Sequence, residues 1–196
     1  MMMQLDLLET PQEAPKDHSL FLAVMPDRPA AEAILEHANS LRNGRGSLRP
    51  IHHLHVSLHG FGNFSEIPES IVSKVEQACA KVANKTAPCE IIFDRVMRYG
   101  GGSVVMTDTA SANESLKEMH RALERELLLS GASKSISNSL SPHVTMLYDA
   151  PSIDDQAMRP FAWTAREIVL IDSWQGKTQY KILGRWALGG HLIPPV

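Results

Sequence analysis

Two short segments of this chain place a histidine two residues before a hydroxyl side chain. His55–Leu58 reads His-Val-Ser-Leu, and His143–Met146 reads His-Val-Thr-Met. Residues two apart on a β-strand point to the same face, roughly 6.5–7 Å apart, so each segment would present one imidazole together with one hydroxyl. Two such strands facing one cleft would supply an acid, a base and two hydroxyls for phosphoryl oxygens. This is a metal-free acid–base site for a phosphoester.

A single His-x-Ser or His-x-Thr segment is common and carries little weight, but two copies share polarity, spacing and strand context. Pro142, immediately before the second histidine, also favours an extended entry into that strand. We therefore predict that His55 and His143 are catalytic and that Ser57 and Thr145 bind the substrate phosphate.

Imidazole titrates near pH 6.5, so one histidine of such a pair can be neutral while its partner is charged at neutral pH. Each proton transfer is typically worth about 10²–10⁴ in rate. We expect His143 to act as the base and His55 as the acid, an assignment that the residues alone do not decide.

Candidate substrate contacts lie near both motifs. Arg42, Arg45 and Arg49 belong to a basic, glycine-containing loop before the first motif and are placed to contact RNA phosphates, although a solvated loop explains them equally well. Tyr148 follows the second motif, where it would line the cleft or stack on a base, or simply pack.

Other histidines give weaker signals. His52, His53 and His59 crowd the first motif, but no acidic residue lies between Ile51 and Phe64 and the spacing matches no zinc pattern, so we favour a polar cleft strand without metal. Two other classes remain open: a metal-dependent hydrolase built on the His52–His59 cluster, and a nucleotide- or RNA-binding module with weak catalysis. We expect the remaining histidines to lie at the surface: His18, His37, His120 and His191.

Composition limits the partners. The chain has 196 residues, 43% of them hydrophobic, with a formal charge of −3, which argues against coating long nucleic acid by bulk electrostatics. The two cysteines fit neither a zinc site nor a redox pair, and neither a secretory signal nor an apolar run near the ~20 residues of a membrane span is evident. We expect a cytoplasmic protein with no cofactor, no membrane association and no obligate protein partner.

Hydrophobic periodicity predicts the element order β-α-β-α-β-β-α-β-β-β between a flexible extension (1–17) and a C-terminal tail (189–196). Each motif strand follows a helix, which suggests two similar lobes. The predicted elements besides the motif strands are strands Ser19–Met25, Glu90–Tyr99, Ser103–Thr107, Trp163–Trp174 and Thr178–Leu188, and helices Ala30–Asn43, Pro68–Val82 and Ser115–Leu129, the last preceded by a Ser111/Glu114 capping box.

The chain resembles the 2H phosphoesterase superfamily, whose signature is two His-x-Ser/Thr-x repeats. Within it, the chain is most similar to the bacterial and archaeal 2′-5′ RNA ligase-like proteins, also described as RNA 2′,3′-cyclic phosphodiesterases. LFLAVMPDRPAAEAI resembles the family's opening strand and helix, and LHVSLHGFG and SPHVTMLYD resemble its two motifs. Two places differ: Tyr148 stands where many members have arginine, and Gly60-Phe61 where Phe-Leu is usual.

The resemblance implies an α/β (α+β) fold in a single bilobal domain over 18–188. Two pseudo-symmetric lobes would line a central cleft with antiparallel sheets and carry helices outside. The implied reaction is metal-independent hydrolysis of 2′,3′-cyclic phosphates, on RNA ends or small cyclic nucleotides, or ATP-independent 2′-5′ RNA ligation. His55 and His143 carry over as the acid–base pair, and Ser57 and Thr145 as the phosphate-binding hydroxyls.

Overall fold

The computed structural model describes residues 15–109, 112–135, 137, 139–149 and 153–189. Almost all of the expected extension (1–17) and tail (189–196) lies outside these ranges, as does His191. Their roles, and the assignment of 18–188 to one bilobal domain, stay predictions.

The described residues form nine strands and three α-helices. The first half of the chain contains β1 (His18–Val24), α1 (Arg28–Arg42), β2 (Ser47–Leu48), a 3₁₀ turn (Ile51–His53), β3 (Val56–Phe64) and α2 (Glu69–Ala83). The second half contains β4 (Cys89–Tyr99), a 3₁₀ turn (Gly100–Gly102), β5 (Ser103–Thr107), α3 (Glu114–Ser130), β6 (His143–Tyr148), β7 (Gln156–Ala165), β8 (Glu167–Trp174) and β9 (Gln179–Ala187).

The strands form two antiparallel sheets, which confirms the predicted α+β class with paired antiparallel sheets. One sheet has the order β3-β1-β8-β9 and the other β2-β6-β5-β4-β7. Each motif strand pairs with the strand that precedes its helix, through the units β1-α1-β3 and β5-α3-β6. The motif strands β3 and β6 are also neighbours across the two sheets. Both motifs therefore lie at the junction of two similarly built halves.

The helices follow from their caps and apolar stripes. Asp27 caps α1 by accepting from the Ala30 backbone N–H at 2.9 Å. Ser111 of the capping box expected for α3 lies outside the described ranges, and Asn113 is the N-cap residue of this helix. The Asn113 side chain bonds to both backbone groups of Ile92 on β4.

None of the helices in the described residues is long and apolar enough to cross a membrane.

The strand predicted over Trp163–Trp174 is wrong, because two strands occupy this stretch. The chain turns at Arg166, so that β7 ends at Ala165 and pairs with β4, while β8 pairs with β1. Neither glycine nor proline marks this turn, which falls at Arg166 and Glu167. β7 is an edge strand, the position in a sheet that tolerates Pro160, which has no N–H to donate.

Both motif strands carry a β-bulge at the fourth motif residue. Along β3 the pairing passes from Ser57 to His59 and skips Leu58, and along β6 it passes from Thr145 to Leu147 and skips Met146. A bulge re-aims the side chains that follow it. The motif hydroxyls therefore keep the strand alternation of their histidines, while residues beyond the bulges do not.

The two cysteines, Cys79 and Cys89, are free and buried in the core. Burial raises the pKa of both thiols, so they stay protonated. They serve as small apolar core residues.

Candidate active site

The two motif histidines are anchored in the same way. His55 Nδ1 donates to the His53 carbonyl at 2.8 Å, and His143 Nδ1 donates to the Ser141 carbonyl at 2.9 Å. A carbonyl oxygen only accepts, so each Nδ1 carries a hydrogen and the neutral ring keeps its lone pair on Nε2. In both motifs the carbonyl two residues upstream thus sets the tautomer and leaves Nε2 to take or give a proton.

The motif hydroxyls lie where strand alternation predicts. Ser57 is exposed, and its Oγ lies 3.0 Å from His55 Nε2, to which it can donate. Thr145 occupies the equivalent position on β6, is partly buried and pairs with Val105 on β5. The structure therefore brings Ser57 directly to Nε2 of the first motif histidine.

The surroundings of His55 keep its imidazole neutral. Burial is the main cause that lowers its pKa to about 4, and the positive charges of Arg49, His143 and His53 act in the same direction. The hydrogen bond to the His53 carbonyl opposes this shift but is outweighed. The motif strands β3 and β6 contact each other across the two sheets, and that His55 and His143 form one site stays a prediction.

Two aromatic rings flank His55. The Phe21 ring lies 5.0 Å from the His55 ring, and the Tyr180 ring lies 5.9 Å away. Tyr180 also stacks on His53 at 3.8 Å and is tilted by only 16°. These side chains come from β1 and β9, far from the motif in sequence, and our sequence analysis missed both.

His143 has an aromatic neighbour of its own. Tyr99, at the end of β4, stacks on the His143 ring at 4.9 Å and is 48% exposed. Nothing local in the sequence connects Tyr99 with the second motif, because β5 and α3 lie between them in the chain.

Of the three arginines predicted to contact the substrate, Arg49 is the one that lies against the first motif. Its Nε donates to the His53 carbonyl at 2.8 Å, and its guanidinium carbon lies 5.5 Å from the centre of the Tyr148 ring. Arg42 instead bonds Asn39 on α1 through its Nε. Arg45 is exposed in the loop, with no contact to a motif residue among the described interactions.

Tyr148 is 37% exposed at the end of β6, with the Arg49 guanidinium over its ring. It thus lies beside the first motif's supporting arginine, and stacking of Tyr148 on a substrate base stays a prediction.

The histidines around the first motif do not converge on a common point. His52 is exposed and meets the buried His53 edge-on, with ring centres 4.4 Å apart. Beyond the bulge, His59 turns to α3, where its Nδ1 lies 2.5 Å from a carboxylate oxygen of Glu124. In the part of the chain that the structure describes, no group of three or more His, Cys, Asp or Glu side chains could hold a metal ion.

Glu124 is a buried carboxylate that our sequence analysis missed. Besides His59, it accepts from the Ser137 backbone N–H at 2.7 Å and lies 3.4 Å from His120 Nε2. The expectation that His120 is a surface residue is wrong, since it is 2% exposed and burial is the main cause that lowers its pKa. His120 and Glu124 lie on the same face of α3 as the buried Leu123 and Leu127. Helical periodicity in the sequence could therefore have predicted that both are buried.

Solved structures with the same fold include a crystal structure of a phosphoesterase, with a TM-score of 0.71 and 17% identity, covering 88% of this chain and 98% of that one. The protein TT0787 of Thermus thermophilus matches with a TM-score of 0.69 and 22% identity, covering 89% and 100%. Escherichia coli LigT complexed with phosphate matches with a TM-score of 0.68 and 16% identity, covering 89% and 99%.

A search of curated proteins found no match. The family model of the 2′-5′ RNA ligase superfamily matches residues 26–176, a stretch that contains both motifs, the whole five-stranded sheet and strands β3 and β8 of the other sheet. The resemblance drawn from the two motifs is thereby confirmed, and this chain belongs to the 2′-5′ RNA ligase superfamily.

Proposed function

We propose that this protein is a metal-independent phosphoesterase that hydrolyses 2′,3′-cyclic phosphates on RNA ends or small cyclic nucleotides. The observation that carries the proposal is the matched anchoring of His55 and His143, in which each Nδ1 is bound to a carbonyl. A pair of histidines held in this way offers two Nε2 atoms for proton transfer, one on each motif strand.

The low pKa of His55 leads us to assign it as the base, which reverses the assignment made from the sequence. A neutral His55 can take a proton from water through Nε2, and the water oxygen then attacks phosphorus. The bond from phosphorus to the departing ribose oxygen breaks as His143 gives its Nε2 proton to that oxygen. In this scheme His143 is protonated beforehand and keeps its Nδ1 bond to Ser141 throughout.

Ser57 and Thr145 would donate to the non-bridging phosphoryl oxygens, whose negative charge grows in the transition state. The Ser57 hydroxyl lies beside His55 Nε2, so a small rotation would turn it towards a bound phosphate. If the 5′ hydroxyl of a second RNA end replaced water as the nucleophile, the same step would form its bond to phosphorus, break the bond to the 3′ oxygen and join the ends through a 2′-5′ linkage without ATP.

The relatives support a phosphorylated, nucleotide-like substrate. Escherichia coli LigT, which shares the fold, has been solved with phosphate, with ATP and with 3′-AMP. A phosphate-binding cleft that accepts a nucleoside is what hydrolysis of a cyclic nucleotide needs.

Phosphorus NMR of the products from a panel of 2′,3′-cyclic mononucleotides and cyclic-phosphate-ended oligonucleotides tests the proposal. We expect a 2′-phosphate, because the family resemblance implies that the bond to the 3′ oxygen breaks. A 3′-phosphate product would keep the two-histidine reaction but contradict this choice of bond.

The matched controls for this assay are the His55→Ala and His143→Ala variants. Absence of turnover by the unmodified protein on every member of the panel would contradict the proposal and favour a binding module. Binding of the same cyclic nucleotides without product would identify that alternative directly.

A further inference from the structure

Arg49 bonds to both motif regions at once. Its backbone N–H donates at 2.9 Å to the carbonyl of Met146, the residue at the bulge of the second motif strand. Its side chain reaches the other way, where Nε donates at 2.8 Å to the His53 carbonyl, two residues before His55. One residue thus joins the second motif strand, β6, to the turn that leads into the first motif strand, β3.

The His53 carbonyl is a shared acceptor. It accepts from His55 Nδ1 and from Arg49 Nε, each at 2.8 Å. The planar guanidinium is held in turn by the Tyr180 hydroxyl, which accepts from Nη2 at 2.6 Å. A guanidinium presents its donors in a rigid fork, so two bonds fix its orientation and with it the position of the shared carbonyl.

Arg49 also determines part of the charge around His55. The groups that face this imidazole are the Arg49 guanidinium, His53 on the same segment, His143 from the other sheet and the phenol of Tyr180. Arg49 is the only one of them that is charged at every accessible pH. Its charge therefore acts on His55 constantly and opposes protonation.

We propose that Arg49 is a positioning residue that holds His55 through the shared His53 carbonyl and ties the second motif strand to the turn before the first. It acts on the base rather than gripping the scissile phosphate. This inference rests on the proposed function, because it assigns a role within the same site.

The test compares Arg49→Met, which removes the fork and the charge, with Arg49→Lys, which keeps only the charge. The readouts are kcat and KM on a 2′,3′-cyclic mononucleotide, and the NMR titration midpoint of the His55 ring, assigned with the His55→Ala variant. The matched control is Arg28→Met, which removes an arginine that is 86% exposed on α1.

We expect Arg49→Met to lower kcat by about 10²-fold, the cost of a misplaced catalytic group, with little change in KM. It should also raise the His55 midpoint, because a positive charge is lost. Arg49→Lys should keep the midpoint near that of the unmodified protein and recover only part of kcat. Arg28→Met should change neither readout.

An increase in KM with unchanged kcat would make Arg49 a substrate contact and overturn the proposal, as would an unchanged His55 midpoint in Arg49→Met. If Arg49→Met does not fold, Tyr180→Phe carries the test, since it removes only the hydroxyl that holds Nη2. This variant should lower kcat several-fold without affecting KM, and unchanged kcat would overturn the proposal. The NMR titration needs no turnover, so it tests the role of Arg49 even if the cyclic-phosphate substrate is wrong.

Discussion

The pH dependence of kcat/KM should show which histidine is the base. This parameter reports the pKa values of the free enzyme, and the pKa of His55 is lowered to about 4 by burial, with smaller contributions from Arg49, His143 and His53. At pH 5 a histidine with a pKa of 4 is ~90% neutral, whereas one with a pKa of 6.5 is only ~3% neutral. A site that uses neutral His55 as its base should therefore be about 30-fold more active at pH 5 than an ordinary histidine base would allow.

The assay measures kcat/KM on a 2′,3′-cyclic mononucleotide between pH 4 and pH 9. Its phosphodiester keeps one negative charge over this range, so titration of the scissile group adds no limb to the pH profile. We expect kcat/KM to fall on the acid side only well below pH 6. In Arg49→Met we expect this acid limb of the profile to shift to higher pH.

Acid unfolding must be separated from this limb. The unfolded chain binds protons near pH 6.5, while the folded protein holds the pKa values of His55 and His53 near 4. Protonation therefore favours the unfolded chain. The stability that these residues contribute is complete above about pH 6.5 and is lost as the pH falls towards 4. Circular dichroism at each pH identifies the range in which the protein stays folded.

Two results would refute the reasoning. An acid limb near pH 6.5 in folded protein would mean that the base is not the half-buried His55. A kcat/KM that falls steadily as the pH rises above 4 would mean that His55 must be protonated, and would restore the assignment of His55 as the acid.

Three further predictions follow from the site. His55→Ala and His143→Ala should each lower kcat by about 10²–10⁴-fold, and the double variant should be little worse, because residues that act as a unit are not additive; losses that multiply would contradict this. Ser57→Ala and Thr145→Val should cost about 10²–10³-fold in kcat, as for removal of one oxyanion donor, and wild-type kcat in both would exclude phosphate binding by these hydroxyls. Activity should survive EDTA, because two imidazoles and two hydroxyls supply the acid, the base and the charge stabilisation; activity lost in chelator and restored by zinc or manganese would contradict the proposed reaction.

The sequence by itself determined the features that depend on local geometry. Strand alternation places His55 with Ser57, and His143 with Thr145, because side chains two apart share a face. The apolar stripes and the Asp27 cap located α1 and α2, since helical periodicity and capping involve residues within one or two turns. The two motifs in their order also led to the correct superfamily.

Tertiary structure alone decided what surrounds those residues. The bulges at Leu58 and Met146 arise from pairing with other strands, and the bulge at Leu58 turns His59 away to Glu124. The stacking of Tyr99 on His143 likewise joins residues that are distant in the chain.

The link from Arg49 to Tyr180 spans most of the chain, and no local pattern predicts it. The low pKa of His55 depends on burial and on charges that packing brings close, which is why residue type and spacing did not decide which histidine to propose as the base. Local sequence specifies which side chains share a strand face, whereas the fold determines their neighbours, and those neighbours set the charge state on which the chemistry depends.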